Sequence, residues 1–408
     1  MRKRNGDVLF LCQFFYPEYN SSATLPWDTA KYLAEAGFSV GAMCGYPKEY
    51  NSVGTVPDQE TQNCVKIKRL HYIQLKRGKK ISRLINYFSF TFKTVLQVKE
   101  LRNYKCVIVY SNPPILPVCA VWGNVLYGTR IVFVSYDVYP EVAYTSGSLA
   151  PEGLIARMMK RLNRSLFNRA SAVVALTDEM KTFLVRHRGA KCRDKIRVIP
   201  NWAHEGNAQK NISFYEEFGY KPEDFIIAYF GNMGICQDIK TIIECMLLLK
   251  DEPDIQFLVA GHGGKVDEVK RATRNIKNVR IIGFKTGEKF EKIASICTCG
   301  IVSLEKGLQG MCAPSKYYSY LQCGMPVVTI VERGSYLDRE VAREKIGISV
   351  ENGQSNILAD ELRNLSKNKN LCHEMSIRAK RLYEEKYAKK NGLNQYVELI
   401  SEVVKDCD

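Results

Sequence analysis

The chain alternates short strand-like runs with segments of helical spacing, and this alternation constrains its fold more than any other feature. In the N-terminal half the strand-like runs are DVLFLCQFF, FSVGAMCG, CVIVYS, IVFVSYD and AVVALTD, and TLPWDTAKYLAEAG is one of the helices between them. Repeated βα units of this kind predict a parallel sheet with helices on both faces.

The same pattern restarts after IRVIPNW, with the runs FIIAYFGNMG, IQFLVAGHGG, VRIIGF, CGIVSL and PVVTIV. Because 408 residues exceed what one compact core holds, we expect two doubly wound α/β domains that face a central cleft. The predicted domains are 1–203 and 204–384, and a helical segment, 385–408, is expected to break near Gly392 and to pack back on the first domain. Ligands of such sheets bind at the carboxyl ends of the strands, so the cleft is the expected site.

The first residues, MRKRNGDVLFLCQFFYPEY, are basic and then apolar. The apolar run of about eight residues fits a buried first strand better than a signal peptide, and no run approaches the ~18 residues of a membrane span. Fourteen cysteines without an export signal predict reduced thiols in a cytoplasm. The CxC of Cys297 and Cys299 has no second pair at zinc-site spacing. DCD is the only DxD motif, and its place at the frayed C-terminus disfavours a metal–nucleotide role, so we expect no metal.

The net charge of +16 lies entirely in the N-terminal half. Residues 1–200 hold 30 Lys/Arg and 14 Asp/Glu, whereas residues 201–408 hold 29 of each. This half should therefore meet an anionic partner, and a membrane surface and nucleic acid are the two candidates. Nothing in the chain matches a nucleic-acid-binding motif, so we expect no nucleic acid partner.

Two segments favour the membrane. In the first, apolar side chains recur at helical spacing, at Ile81, Leu84, Ile85, Phe88 and Phe92. Basic residues stand at its leading end, at Lys76, Arg77, Lys79, Lys80 and Arg83. A second helical segment carries Arg157, Lys160, Arg161 and Arg164 on one face. These patterns fit an interfacial contact with an anionic leaflet, but they also fit ordinary helices with an apolar face in the core and a solvated basic face.

Two glycine turns follow strands of the C-terminal half. In YFGNMGICQD, Gly231 and Gly234 let the backbone approach a ligand, and the next helix offers its N-terminal amides to an anion. In AGHGG, His262 is placed to contact a base, a phosphate or a sugar. Each turn is also compatible with a purely structural role.

The segment QGMCAPSKYYSYLQCG predicts a helix that is capped by Ser315 and ends at Gly324. Lys316 lies in the first turn, where a cation opposes the helix dipole. A bound diphosphate would reverse the sign of this interaction, because the lysine and the amides would share one anion. The alternative is a solvated lysine.

Polar candidates also occur in the N-terminal half. In SYDVYPEVAYTSG, Asp137 and Glu141 follow a strand, where a carboxylate can orient hydroxyls or act as a base. Both could equally be structural. Before the first helix, Ser21 and Ser22 belong to a predicted loop of small residues that could admit a phosphate or a lipid-linked acceptor, or simply cap the helix.

Taken in order, these motifs resemble the retaining glycosyltransferase family 4, which has the GT-B fold. The resemblance is to the bacterial branch that builds surface polysaccharides and includes N-acetylfucosaminyltransferase-like enzymes. It covers nearly the whole chain and rests on SYDVYPE, RSLFNRASAVVALTDEMKTFL with KIRVIPNW, YFGNMGICQDIKTII and APSKYYSYLQCGMPVV.

The resemblance implies a nucleotide-sugar donor, UDP-linked, on the C-terminal domain and a polyprenyl-diphosphate-linked saccharide acceptor on the N-terminal one. It implies transfer with retention of configuration, without a metal or other cofactor, at the cytoplasmic face of the membrane. The implied catalytic residues are Asp137 and Lys316. The implied donor-binding residues are Gly231, Asn232, Gly234, Gln237, His262, Gly263, Ser315 and Ser319. The implied acceptor-side residues are Ser21, Ser22, Tyr136 and Glu141.

The chain departs from the family where carboxylates are expected. Two glutamates that lie eight positions apart in many members correspond here to Met311 and Ser319. Glu305 is the candidate to compensate.

Other departures affect charged donor-side positions. An arginine and a lysine of the donor loop correspond to Asn232 and Asp238, and a histidine of the N-terminal domain corresponds to Tyr136. The resemblance thus leaves the donor open and makes Lys316 the remaining cationic ligand for the phosphates.

Two other functions stay open at this point. A sugar-nucleotide epimerase has a similar two-domain fold but needs no basic acceptor domain. A non-catalytic glycosyltransferase-like subunit is favoured by the missing glutamates and opposed by the presence of Asp137 and Lys316. The sugar, the linkage and the oligomeric state are not determined by the sequence.

Overall fold

The structure is a computed structural model that describes residues 4–48, 53–75, 80–203, 211–283, 285 and 287–405. The basic residues Lys76, Arg77 and Lys79 and the DCD motif lie outside these ranges. Contacts divide the chain into two compact units: Met1–Asn201 with Gly310–Ala313 and Lys390–Asp408, and Trp202–Gln309 with Pro314–Lys389. The sequence pattern places Gly310–Ala313 in the C-terminal domain, whereas these residues group with the first unit.

The first unit is built on an eight-stranded sheet of order β3-β4-β2-β1-β5-β6-β7-β8. Its strands are β1 (Gly6–Cys12), β2 (Val40–Gly45), β3 (Gln59–Gln62), β4 (Val65–Leu70), β5 (Tyr104–Tyr110), β6 (Arg130–Ser135), β7 (Ala172–Ala175) and β8 (Ile196–Val198). Neighbouring strands are parallel except for β3 and β4. The chain order reverses between β1 and β5, which places the topological switch point there.

Among the described residues before 202, the first unit has six α-helices. They are α1 (Ser21–Glu35), α2 (Lys80–Val95), α3 (Pro117–Tyr127), α4 (Glu141–Thr145), α5 (Leu154–Arg169) and α6 (Asp178–Arg188). The residues before α1 differ from the prediction. The Asn20 carbonyl accepts from Ala23 N at 2.8 Å and Thr24 N at 2.9 Å, so Ser21 and Ser22 form the first helical turn rather than a loop.

The second unit has a six-stranded parallel sheet of order β11-β10-β9-β12-β13-β14. Its strands are β9 (Phe225–Asn232), β10 (Ile255–His262), β11 (Val279–Gly283), β12 (Cys299–Ser303), β13 (Val327–Ile330) and β14 (Gly347–Val350). Its helices are α7 (Ile212–Phe218), α8 (Ile239–Leu248), α9 (Val266–Ala272), α10 (Gly287–Ile296), α11 (Ser315–Gln322), α12 (Tyr336–Glu344), α13 (Ser355–Ser366) and α14 (Lys369–Leu382).

The sheet of the second unit is buried on both faces. Along β9, Ile226, Ala228 and Phe230 pack into one core cluster, whereas Ile227 and Tyr229 pack into the other. Successive strand residues point to opposite faces, so a strand covered on both sides needs an unbroken apolar run. This is why the sequence run FIIAYF predicts the strand well.

The C-terminal segment continues α14 through a π-helical stretch, Tyr383–Tyr387, and ends in α15 (Lys389–Lys405). The predicted break at Gly392 is wrong, because this glycine is buried inside α15 and the interruption falls at Ala388, whose backbone is extended. Side-chain bonds among the described residues hold α15 in the first unit: Arg130 donates to the Val403 carbonyl at 3.2 Å, Tyr32 donates to Asn394 at 2.6 Å, and Arg197 pairs with Glu402 at 3.4 Å.

Candidate functional site

The second unit has its topological switch point between β9 and β12. The chain runs outward from β9 to β10 and β11, and then returns to the other side of β9 to form β12, β13 and β14. The loops that leave the carboxyl ends of β9 and β12 therefore diverge and open a crevice, which is where ligands of such sheets bind. The YFGNMG segment contains the end of β9 and the turn that leaves it, and α11 with Lys316 is the next α-helix after β12.

Lys316 lies against the end of β9. Its Nζ donates to Tyr229 Oη at 2.8 Å and to the Asn232 carbonyl at 3.3 Å. The ammonium also lies 4.1 Å from the centre of the Tyr229 ring, so the ring face adds a cation–π contact. Sequence reasoning missed Tyr229, which reads as an ordinary strand residue. The hydrogen-bond partners of Lys316 are thus uncharged, and its positive charge remains available to an anion bound at this end of the sheet.

The surroundings of Lys316 disfavour its charge. Burial lowers the pKa of Lys316 to about 7, because desolvation penalises the ammonium form. The pKa of His262 is lowered as well, first by burial and then by the positive charge of Lys316. His262 ends β10 beside β9. An anion bound here would raise both pKa values, which makes the site a candidate for phosphate.

Glycines shape the same edge of the sheet. Gly231 has φ +99° and Gly263 has φ +127°, both in the left-handed region that favours glycine. A Cβ at Gly263 would stand 2.6 Å from the Met233 carbonyl oxygen. At Gly231 the nearest atom to such a Cβ would be Lys316 Cε, at 3.9 Å. The first glycine therefore sets the backbone beside the lysine, and the second permits the close approach of two loops.

The turn after β9 uses some of the predicted donor-binding side chains itself. Gln237 Oε1 accepts from Gly234 N at 2.8 Å, and the Gln237 carbonyl accepts from Lys265 Nζ at 2.7 Å. The Gln237 side-chain oxygen therefore closes the turn. Asn232 is exposed at the end of β9.

Asp238 explains one departure from the family pattern. It is buried and caps α8, accepting from Thr241 N at 3.1 Å and Thr241 Oγ1 at 2.7 Å. Asn352 Nδ2 adds a third bond at 2.9 Å. A carboxylate with three donors is a stable helix cap, so this position is structural.

Glu305 forms an ion pair that the sequence does not predict. Lys265 Nζ lies 2.8 Å from Glu305 Oε1, and Glu305 N donates to the Cys236 carbonyl at 2.9 Å. These contacts fix Glu305 beside the turn that follows β9. Ser319 is half-buried in the second turn of α11, three residues after Lys316.

The start of α11 differs in detail from the prediction. Pro314 is the residue before the helix, and no side chain caps this end, so Ser315 is an exposed first helical residue rather than the cap. Buried tyrosines anchor the helix instead. Tyr320 Oη accepts from Phe230 N at 2.8 Å, and Tyr317 Oη donates to Glu340 at 2.6 Å.

In the first unit, Asp137 follows β6 at the carboxyl edge of the sheet. Ser111, which directly follows β5, accepts from the amides of Tyr136 at 3.0 Å and Asp137 at 3.1 Å. Desolvation raises the pKa of Asp137 to about 6. Tyr136 packs on Tyr110 with ring centres 5.1 Å apart. Asp137 is therefore a half-buried carboxyl whose pKa lies close to neutral pH, as suits a general base.

Glu141, in contrast, is committed to a structural ion pair. Its two carboxylate oxygens accept from Arg188 at 2.6 and 2.7 Å, and Arg188 also donates to the Tyr139 carbonyl at 3.0 Å. This bidentate geometry joins α4 to the end of α6. In this arrangement the carboxylate of Glu141 is paired within the first unit, and its acceptor-side role stays a prediction.

Met311 occupies one of the two expected glutamate positions, and it too has a structural role. Its carbonyl accepts from Val138 N at 2.8 Å, and Cys312 forms a β-bridge with Asp137. The side chain packs against the core of the first unit. This pairing fixes the backbone on either side of Asp137.

Within the described part of the chain, no group of three His, Cys, Asp or Glu side chains is placed to hold a metal ion. No helix among those residues is both long and apolar enough to span a bilayer.

Known protein families and solved structures are similar to this chain. The profile for Glycosyltransferase Family 4 matches residues 23–204, and that for Glycosyl transferases group 1 matches residues 213–382. The structure of the Anabaena protein HepE in complex with UDP superimposes with a TM-score of 0.72 over 97% of this chain and all of that one, at 16% identity. The fold and the matched domains define the chain as a glycosyltransferase with the GT-B fold.

Two curated relatives are similar in sequence. The probable glycosyltransferase WbjE of Pseudomonas aeruginosa is 26% identical over 70% of this chain and 71% of its own length. The putative colanic acid biosynthesis glycosyl transferase WcaI of Escherichia coli is 23% identical over 63% of this chain and 65% of its own length. The match to WcaI therefore falls just short of two thirds of that protein.

Proposed function

We propose that this glycosyltransferase moves a sugar from a UDP-linked donor to a polyprenyl-diphosphate-linked saccharide in the synthesis of a bacterial surface polysaccharide. The second unit holds the donor and the first unit holds the acceptor. Lys316 carries this proposal, because its cation sits on Tyr229 at the switch point between β9 and β12. HepE, with the same fold, was solved with UDP, and WcaI is named for colanic acid synthesis.

The chemistry follows from charge. The bond between the sugar C1 and the donor diphosphate breaks, the bond from C1 to the acceptor oxygen forms on the same face, and the acceptor proton passes to the departing phosphate oxygen. Negative charge therefore grows on the diphosphate. Lys316 stabilises that charge, and His262 and the amides at the start of α11 add donors. The proposal needs no metal or other cofactor.

Asp137 acts on the acceptor side. A carboxyl whose pKa is about 6 is mostly ionised at neutral pH and can accept a hydrogen bond from a sugar hydroxyl. Its backbone is fixed by Ser111 and by the bridge to Cys312. Ser21 and Ser22, in the first turn of α1, offer amides and hydroxyls to an acceptor phosphate. The enzyme works from the cytoplasmic face of the membrane as a peripheral protein.

Nucleotide release tests the proposal. The protein is incubated with a panel of UDP-, GDP- and dTDP-sugars, with and without lipid-linked acceptors. Acceptor-dependent release of UDP supports transfer. Interconversion of the donor without acceptor indicates an epimerase. Absence of turnover with every pair, together with binding to a partner protein, indicates a non-catalytic subunit and overturns the proposal.

Substitution of Lys316 tests the assignment of the diphosphate site. We expect Lys316→Ala to lower transfer at least tenfold, about 1.4 kcal/mol in transition-state stabilisation. The matched control is Lys270→Ala, which removes an exposed lysine from α9 of the same unit. Unchanged kinetics of Lys316→Ala would place the diphosphate elsewhere.

A further inference from the structure

The outward face of α2 is apolar. Ile81, Leu84, Ile85, Phe88 and Phe92 are all exposed, Phe88 by 52% and Phe92 by 61%. These are the residues whose spacing left open a core-facing helix, and the structure rules out that alternative. A run of apolar side chains on one solvent-facing helical stripe is unusual for a surface helix, whose apolar stripe normally faces the core.

The inward face of α2 packs on the core of the first unit and hydrogen-bonds to a neighbouring segment. Phe90 is fully buried in the core of the first unit. Asn86 makes two bonds to the backbone of Leu75, at 2.8 and 2.9 Å. The helix therefore cannot rotate to bury its apolar stripe without leaving the buried side chain of Asn86 unpaired.

The neighbouring helix α3 extends the apolar surface. Cys119 Sγ donates to the Thr91 carbonyl at 3.8 Å, which sets α3 beside α2. Trp122 lies three residues after Cys119 on α3. Trp122, Val125 and Leu126 are exposed by 46–59%.

The third helix of this layer, α5, supplies most of the charge. It packs on α3, where Arg169 donates to Asn124 at 3.4 Å. Its exposed face carries four cations, Arg157, Lys160, Arg161 and Arg164. Exposed apolar residues lie just before or among these cations, at Leu154, Ile155 and Met158. Together, α2, α3 and α5 contain eight Lys/Arg and no Asp/Glu.

We infer that the exposed faces of α2, α3 and α5 form a single membrane-docking surface that inserts its apolar side chains into an anionic leaflet. Phe88, Phe92 and Trp122 enter the interfacial layer, which favours aromatic rings, and the cations pair with anionic headgroups. Nucleic acid would satisfy the cations but leave the apolar stripe in water. A second copy across a twofold axis would bring the same cations face to face.

Only the use of this surface rests on the proposed function, because membrane binding would bring the protein to a lipid-linked acceptor. The binding itself is measured without any sugar. The full chain is sedimented with phosphatidylcholine vesicles and with vesicles containing 30% phosphatidylglycerol. We expect preferential binding to the anionic vesicles that weakens as salt rises.

The double variant Phe88→Ser/Phe92→Ser is the decisive test. We expect it to partition into anionic vesicles at least about tenfold more weakly, because two exposed rings no longer enter the bilayer. Its matched control is Ile357→Ser/Ile377→Ser, which removes two similarly exposed apolar residues from α13 and α14 and should bind like the wild type. Equal binding by both double variants overturns the inference.

Charge reversal tests the basic part of the surface. Arg161→Glu/Arg164→Glu should abolish the preference for anionic vesicles, whereas Lys367→Glu/Lys369→Glu, on the second unit, should preserve it. Sedimentation velocity without lipid tests whether a second copy of the chain binds this surface instead. A dimer that only the Phe88→Ser/Phe92→Ser variant dissociates would assign the surface to a second copy. Failure of sugar transfer with intact vesicle binding would count against the proposed function alone.

Discussion

Lys316 Nζ donates a 2.8 Å hydrogen bond to Tyr229 Oη, across 87 residues of sequence. The tyrosine hydroxyl in turn donates to the Asn232 carbonyl at 3.2 Å. The lysine is thus positioned by neutral groups, and no carboxylate within the described chain forms an ion pair with it. A cation held in this way retains its attraction for a ligand phosphate.

Donor affinity should depend on pH through Lys316. Its pKa in the free protein is about 7, and a bound diphosphate favours the charged form, so binding takes up a proton above pH 7. Affinity for UDP-glucose, used as a probe, should be constant below pH 6 and should fall by up to about tenfold per pH unit above pH 7. Calorimetric titrations at several pH values measure this, and Lys316→Met should remove the fall.

Stability should depend on pH through Asp137. Its folded pKa of about 6 lies above the ordinary value of about 4, so the folded state binds the proton more tightly and ionisation between pH 4 and 6 destabilises it. Asp137→Asn should therefore raise the melting temperature at pH 7 while lowering transfer, and the gain should vanish below pH 4. Melting temperatures of the variant and the wild type, measured across this pH range, test the prediction. A gain of equal size at pH 3.5 would show that desolvation of the charge is not the cause.

Gly263 should tolerate no side chain. Gly263→Ala would place a Cβ 2.6 Å from the Met233 carbonyl oxygen at φ +127°, and such backbone strain costs about 1–3 kcal/mol. We expect lower stability and weaker nucleotide binding, followed by urea unfolding and calorimetry. The neighbouring Gly264→Ala is the control, since its Cβ would meet nothing within 4 Å. Equal behaviour of the two variants would contradict the packing argument.

Glu340 should stabilise the base of α11. This buried carboxylate accepts from the hydroxyls of Tyr317 at 2.6 Å and Tyr387 at 2.7 Å and from Lys386 at 2.7 Å. Glu340→Gln should lower the free energy of unfolding by about 1–3 kcal/mol, because charge-assisted bonds in a buried cluster are lost. Urea denaturation measures it. Glu344→Gln, on the more exposed end of α12, should change stability by less than about 0.5 kcal/mol.

The positions of most strands could be predicted from the sequence. Every strand run proposed from the sequence overlaps a strand of the structure, since parallel strands buried on both faces require continuous apolar residues. The sequence did not predict β3, β4, β8 and β14. The turn between β3 and β4 places Asn63 and Cys64 at positive φ, and their pairing depends on a neighbouring strand rather than on a strong local signal.

The candidate site was predictable only in part. Lys316, Gly231 and His262 meet at the carboxyl edge of one sheet, as their positions after strands indicated. The partners of polar residues were not predictable. Arg188 neutralises Glu141 from 47 residues away, and Lys265 pairs with Glu305 from 40 residues away. Spacing along the chain carries no information about such contacts.

The sequence by itself determined the two α/β units, the excess of positive charge on the first half and the glycine turns, because these follow from local composition and periodicity. Only the tertiary structure decided which face of each helix meets the core. In α2 the polar residues Asn86 and Thr94 are buried and the apolar stripe is exposed. The spacing of Ile81 to Phe92 is the same whichever way the helix is turned, and packing against Leu75 and Cys119 settles the choice.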